Sequence, residues 1–484
     1  MPKGLDDLKH IVFLMMENRS FDHMLGFLQS PAYKINGLGG NETNDDSSGE
    51  PIKVSDDAIF FGDLTPDPGH SHFDVMQQLF DGADPATSQP TNTGFVKNYQ
   101  NHTNDVGKSA RIMKCFSKGK LPILSQLAQQ FCVCDNWFSS VPGPTFPNRA
   151  FAHSATSIGR VDMSPVGYVG ISKTVYELLD ANNVSARIYY NDTTLAATFP
   201  KLMAKMNTFF GTFQSFIGAC NNNALPAYSF IEPRYNTLES ENLFFTAGDQ
   251  HPDHDVHEGE KLIQAVFQAI WNKPEVRNST LLVITYDEHG GLYDHVAPLK
   301  RTVNPDGKNW AGAAGNPDPP FDFTWLGVRV PAILISPYVE AGSIDSTLYD
   351  HTSVIATASK LLLPNVQNAF LTQRDKNANT FDKNLTRAQA RNDAIQLQAA
   401  AHAAIPGAVP QDLVLKALTE HQRGLVMMAN YLEQNLPKEK QTGIDPHTIR
   451  TEGAAAKYLD TVMKRLQAAA PPAEPAGGAA AGGR

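Results

Sequence analysis

The sequence predicts an α/β fold with a mostly parallel central sheet. Residues 281–286, Leu-Leu-Val-Ile-Thr-Tyr, run directly into Asp287-Glu288-His289-Gly290-Gly291. A continuous apolar and β-branched run reads as a strand buried on both faces, and its carboxyl end is where α/β sheets place their ligands. Residues 10–16, His-Ile-Val-Phe-Leu-Met-Met, repeat the pattern and end in Glu17-Asn18. Further strand-like runs at residues 131–138, 186–190, 227–231 and 328–337 are spaced by helical patterns, among them one over 258–272.

Bulk properties bound the function. A chain of 484 residues has room for a large core, and length alone suggests two to four domains unless an α/β unit runs long. A composition of 42% hydrophobic and 19% charged residues is that of a globular protein. No uninterrupted run of about 18 apolar residues occurs, so no transmembrane segment is expected. The net charge of −10 disfavours a phosphate-backbone surface, so nucleic acid is not an expected partner. Cys115, Cys132, Cys134 and Cys220 read as core thiols, with one disulfide open to an exported form. The first residues lack a signal-peptide pattern; the expectation is cytoplasmic by default, and secreted if the sequence is a processed form.

Taken in order, each element carries candidate chemistry. Glu17-Asn18 at the first strand tip offers oxygen donors to a cation, although Asn18 or Ser20 also suits a helix cap. Residues 40–110 are loop-rich and contain Asp67-Pro68-Gly69-His70-Ser71-His72, which opens a helix ending near Phe80. After the 131–138 run, Pro144-Thr145-Phe146-Pro147 precedes a helix expected from Ala150; such a threonine is either a cap or a nucleophile. Residues 249–260 gather His251, His254 and His257 among several acids, a pattern suited to metal or phosphate.

At 287–291 a buried acidic pair needs a partner, because each desolvated carboxylate costs several kcal/mol, and a cation is the simplest. Gly290-Gly291 supplies a sharp turn at positive φ. His351 precedes a helix expected through Leu363. Beyond residue 385 the pattern becomes Ala, Gln and Leu-rich, with helices expected over 386–404, 411–435 and 446–468, followed by an Ala/Pro/Gly tail over 469–484 expected to be disordered. The division expected is a catalytic region over 1–385, a helical region over 386–468 and that tail.

A hydroxyl beside carboxylate-held metal with several histidines is equipment for phosphoryl transfer. Glu-Asn-Arg-Ser-Phe-Asp-His at 17–23, Pro-Thr-Phe-Pro-Asn-Arg at 144–149, His-Pro at 251–252, Asp-His-Asp-Val at 253–256, Tyr-Asp-Glu-His-Gly-Gly-Leu-Tyr-Asp-His-Val at 286–296, Val-Arg-Val-Pro at 328–331 and Asp-His-Thr-Ser at 350–353 carry a resemblance. Over about residues 8–385 the chain resembles the phosphoesterase family of phosphatidylcholine-preferring phospholipases C and respiratory-burst-inhibiting acid phosphatases, and most of all the plant non-specific phospholipases C.

The resemblance implies an alkaline-phosphatase-like α/β/α sandwich. It implies one divalent ion, Ca, Zn, Mn or Mg, held by Glu17, Asn18, Thr145, Asp287 and Glu288, with Thr145 becoming phosphorylated. His70, His251 and His351 would surround the phosphate, with His251 favoured as the acid. Asn18, His254, His289, Asp294 and His295 would support substrate binding. The leading expectation is a phospholipase C acting on glycerophospholipid, with peripheral membrane contact. An acid phosphatase on soluble monoesters and a non-catalytic lipid- or phosphate-binding protein are the competing readings. Family acid phosphatases often carry serine where this chain has Thr145, which favours the phospholipase branch.

Overall fold

The computed structural model describes residues 7–240, 243–312, 317–393, 395–398 and 410–472. Twelve strands are described: β1 His10–Met16, β2 Thr43–Asp45, β3 Pro51–Lys53, β4 Cys132–Cys134, β5 Ala186–Tyr190, β6 Phe210–Thr212, β7 Tyr228–Ile231, β8 Leu238–Ser240, β9 Leu243–Phe245, β10 Thr280–Tyr286, β11 Ala332–Ile335 and β12 Ser343–Asp345. Eight form one sheet in the order β12-β4-β11-β10-β1-β7-β5-β6, while β2-β3 and β8-β9 are small separate ribbons. All neighbours in the large sheet are parallel except β11, which runs antiparallel to both β10 and β4. Helices flank this sheet, giving the α/β sandwich that the apolar runs predict.

β1 and β10 lie at the centre because their sequences tolerate burial on both faces. Every residue of β10 is buried, as is every residue of β1 after His10. Their register pairs Met16 with Tyr286, so the two acidic tips emerge side by side. One large hydrophobic cluster joins this sheet to residues of the C-terminal helices, including Leu425, Met428 and Leu459. The four cysteines are buried and free, as core thiols. Among the described residues no helix is long and apolar enough to cross a membrane.

Several expectations need correcting. The run over 131–138 pairs as a strand only through Cys132–Cys134; Trp137 and Phe138 make single bridges to Tyr349 and Arg329. The described residues of 386–404 contain no α-helix: Arg387 N and Arg391 N donate to Tyr338 O and Pro337 O, and Gln398 N donates to Gln126 Oε1. Docking against the core thus overrides helix propensity there; residues 394 and 399–404 lie outside the described residues. The pattern over 411–435 divides into Pro410–Val414 and Glu420–Glu433, because Thr419 begins a new helix with a capping box to Gln422. The last helix begins at Glu452, after a short 3₁₀ turn at Pro446–Thr448, and ends at Ala469. Residues 473–484 of the tail lie outside the described residues.

Candidate active site

The site is assembled where β1 and β10 end. Asp287 N donates to Met16 O at 3.1 Å, which extends the strand pairing by one residue. Asn18 then turns with φ 53° and donates its backbone N–H to Asp287 Oδ1 at 3.0 Å. Glu17 N donates to Asp249 O at 2.9 Å, fastening the histidine-rich loop beside the same tip. The turn at Gly290 has φ +65°, and a Cβ there would stand 2.3 Å from Asn18 O; only glycine lets these chains approach so closely.

Thr145 arrives from another direction, as the first residue of the helix Thr145–Ser154. The cap position belongs to Pro144, with no side-chain cap, so the threonine is not an N-cap and the helix starts earlier than Ala150. Asn148 Nδ2 donates to Gly143 O and Pro144 O, each at 3.0 Å, and stiffens the entry loop. The Thr145 hydroxyl donates to Glu17 Oε2 at 3.1 Å and lies 3.4 Å from Asn18 Oδ1. One turn later, Arg149 Nε donates to Glu17 Oε1 at 2.8 Å and lies 3.6 Å from Asp287 Oδ2, while Nη1 pairs with Glu232.

Negative charge still exceeds what Arg149 offsets. Burial, with the Asp287 charge beside it, holds the Glu17 carboxyl well above its usual range. Burial likewise pushes Asp287 up to about 6 despite the neighbouring Arg149. Asp287 Oδ2 and Glu288 Oε1 are buried without a hydrogen-bond partner. Such oxygens cost free energy unless a cation compensates them, and carboxylate, amide and hydroxyl oxygens suit a hard or borderline divalent ion. Glu17, Asn18, Thr145 and Asp287 meet at the strand tips and offer oxygen donors of that type, while the Glu288 Oε2 atom is 2.7 Å from Gly290 N and 3.3 Å from His289 Nδ1.

The histidines divide into groups. His70 Nδ1 donates to Pro68 O at 2.9 Å and His251 Nδ1 to Pro252 O at 3.0 Å, and their rings meet edge to face at 5.8 Å. Arg19 Nε donates to Gln250 O at 2.6 Å, holding the loop of His251. Burial alone would depress His70, but the charges of Glu288 and Asp67 outweigh it and raise it to about 9. Burial holds His251 well below its usual value, and its Nε2 has no hydrogen-bond partner. Ligand atoms of Asp67, His70 and His251 lie within 4.8 Å of one another, so these residues could also hold a cation.

The other predicted residues are placed less directly. His351 has both ring nitrogens engaged: Trp137 Nε1 donates to Nδ1 at 3.3 Å, and Nε2 donates to Asp287 O at 2.7 Å. It thus braces the Asp287 main chain at the strand tip. His254 pairs with Asp249 at 2.6 Å, and His289 with Gln78 Oε1 at 2.8 Å on the helix His72–Phe80.

Asp294 and His295 lie together with Asp22 in a second cluster, whose ligand atoms stand within 4.8 Å of one another. Arg329 bonds Asp294 at 3.0 Å and Asp22 at 2.8 Å, while His295 Nδ1 lies 2.6 Å from Asp22. Arg329 offsets part of the charge of this cluster. Residues not singled out from the sequence are Asp67, Arg149, Glu232 and His421. The spacing of Arg149, four after Thr145, is a readable helical signal. His421, alone in an amphipathic pattern, carries none.

A family model described as the phosphoesterase family matches residues 8–362. The chain belongs to the phosphoesterase family. This phosphoesterase is accordingly a phosphoric ester hydrolase. It is 35% identical over 489 residues to non-specific phospholipase C1 of Arabidopsis thaliana, spanning 96% of this chain and 88% of that relative. It is 39% identical over 395 residues to non-specific phospholipase C6 of the same plant, covering 78% and 71%. Phospholipase C B of Mycobacterium tuberculosis is 29% identical over 403 residues, or 73% of each chain. Among solved structures, a protein in the alkaline phosphatase superfamily from Vibrio parahaemolyticus aligns with 55% of this chain and 65% of its own, at 13% identity and a TM-score of 0.31.

Proposed function

We propose that this phosphoesterase is a phospholipase C that cleaves phosphatidylcholine-like glycerophospholipids to diacylglycerol and a phosphorylated head group. The observation that carries the substrate class is the near full-length likeness to non-specific phospholipase C1. The reaction is a displacement at phosphorus. Thr145 Oγ1 forms the new P–O bond, its proton passes toward the Glu17 oxygen that accepts its hydrogen bond, and the P–O bond to glycerol breaks. The glycerol oxygen takes a proton as it leaves. His70 and His251, whose rings meet edge to face at 5.8 Å, are the candidate donors, with Asp67 beside both. Water then hydrolyses the phosphothreonine, releasing the head-group phosphate and regenerating the hydroxyl.

A divalent ion bound by Glu17, Asn18, Thr145, Asp287 and Glu288 would stabilise charge on the attacking and phosphoryl oxygens. The enzyme would meet its substrate at an aggregated lipid surface as a peripheral protein.

The test compares phosphatidylcholine vesicles with p-nitrophenyl phosphate, using metal-analysed protein with and without chelator. Wild type should release diacylglycerol and stop when chelated. Thr145→Ala should lose at least about a thousandfold in kcat, as expected when a nucleophile is removed. Turnover of the monoester alone would make the protein an acid phosphatase. Vesicle binding with no product would make it a lipid-binding protein.

A further inference from the structure

The helix Glu420–Glu433 lies beyond the matched family region, which ends at residue 362, yet it brings a histidine into the site. His421 is 1% exposed. Its Nδ1 stands 3.4 Å from Glu17 Oε2, the same oxygen that accepts the Thr145 hydroxyl at 3.1 Å. Its ring lies nearly parallel to that of His251, at 5.8 Å and 21°, and meets Tyr235 edge to face at 5.0 Å. Its Nε2 is buried with no hydrogen-bond partner, like Nε2 of His251.

His23, His72 and His153 are also buried with one ring nitrogen unpartnered; what sets His421 apart is that its other nitrogen stands beside the Glu17 oxygen that Thr145 bonds. An unpartnered buried polar atom costs about 1–3 kcal/mol. The surrounding contacts hold this ring in place without meeting that nitrogen. Gln422 Nε2, on the next residue, donates to Tyr235 O at 3.1 Å. Thr419 and Gln422 close a capping box around the first turn. Ahead of the helix, Lys416 Nζ bonds Asp253 at 2.9 Å, fastening the segment to the loop that carries His251. The C-terminal region is thus anchored on both sides of His421, whose Nδ1 stands beside the Glu17 oxygen that Thr145 bonds.

We propose that His421 binds the phosphoryl group of the bound ester through Nε2, beside His70 and His251, so that the C-terminal helical region forms part of the catalytic pocket. This rests on placing the phosphoryl group at Thr145, not on the lipid nature of the substrate.

The test uses full-length wild type, His421→Ala, His421→Asn and the exposed-site control Arg423→Ala, all supplemented with the same divalent ion. Inorganic phosphate is titrated calorimetrically, and turnover is measured on whichever ester the wild type cleaves. His421→Ala should weaken phosphate binding by about tenfold or more and lower kcat by about a hundredfold, at an unchanged melting temperature. Imidazole added to the buffer should restore part of the rate, and Arg423→Ala should match wild type.

A folded His421→Ala protein within about twofold of wild type in both phosphate affinity and turnover overturns the proposal. Should the alanine variant fail to fold, His421→Asn decides by the same two readings. Lipid cleavage indifferent to His421 removes this proposal and leaves the phospholipase reading standing. Phosphate binding that depends on His421, in protein that cleaves no lipid, does the reverse.

Discussion

Arg149 is 1% exposed and sits between Glu17, Glu232 and Asp287, so its charge is what makes the carboxylate cluster tolerable in a buried place. Removing one partner of a buried ion pair leaves the others uncompensated, at a cost of about 3–5 kcal/mol. Arg149→Met should therefore destabilise by that amount in denaturant unfolding, although the methionine fits the space; a loss below about 1 kcal/mol would contradict the assignment. Glu232 gives the matching pH dependence. Burial would raise its carboxyl, but Arg149 and then His153 outweigh burial and hold it down at about 2. A depressed carboxyl contributes stability that is present above its unfolded value and lost as pH falls through the folded one. The stability gap between wild type and Glu232→Gln should hold steady from neutral pH to about 5, then close on approach to pH 2. Urea unfolding across that range reads it, and a gap that widens in acid would contradict the sign.

The elements around the site depend on one turn. Gly290 has φ +65° with Asn18 O in the path of a Cβ, whereas Gly307 has φ +76° with open space around it. Both substitutions to alanine carry left-handed strain of about 1–2 kcal/mol, but only Gly290→Ala also pushes apart the tips of β1 and β10. Gly290→Ala should thus lose activity by at least about tenfold, while Gly307→Ala remains as active as wild type with a lower melting temperature. Equal activity in the two would contradict the close approach.

What could be read beforehand follows the same logic. The runs at 10–16 and 281–286 were legible because burial on both faces demands uninterrupted apolar residues, and Gly290-Gly291 because a tight approach demands glycine. Residue types also pointed to Glu17, Asn18, Thr145 and Asp287, which do meet. Direction was not legible. Asp294 bonds Arg329, His295 bonds Asp22, and both ring nitrogens of His351 are engaged by Trp137 and Asp287. Among the described residues of 386–404, helix propensity gave way at Arg387, Arg391 and Gln398 to hydrogen bonds that only the assembled core supplies.

At the scale of the whole molecule, the sheet and the C-terminal helices share one hydrophobic cluster, in which Leu425 and Leu459 stand with Val12 and Leu282. A shared core makes separate unfolding costly, because each part would expose apolar surface buried against the other. Calorimetry should therefore show one cooperative transition that includes the C-terminal helices; two resolved transitions, with the C-terminal one melting first at full retained activity, would contradict this. Thr145, brought by one helix to the strand tips, is the proposed nucleophile. The most direct measurement of that role is mass spectrometry of protein quenched during turnover, with the modified peptide sequenced. A phosphoryl adduct on Thr145 that forms and decays at the rate of catalysis is the predicted result. An adduct on a histidine instead, or steady turnover by Thr145→Ala, would contradict it.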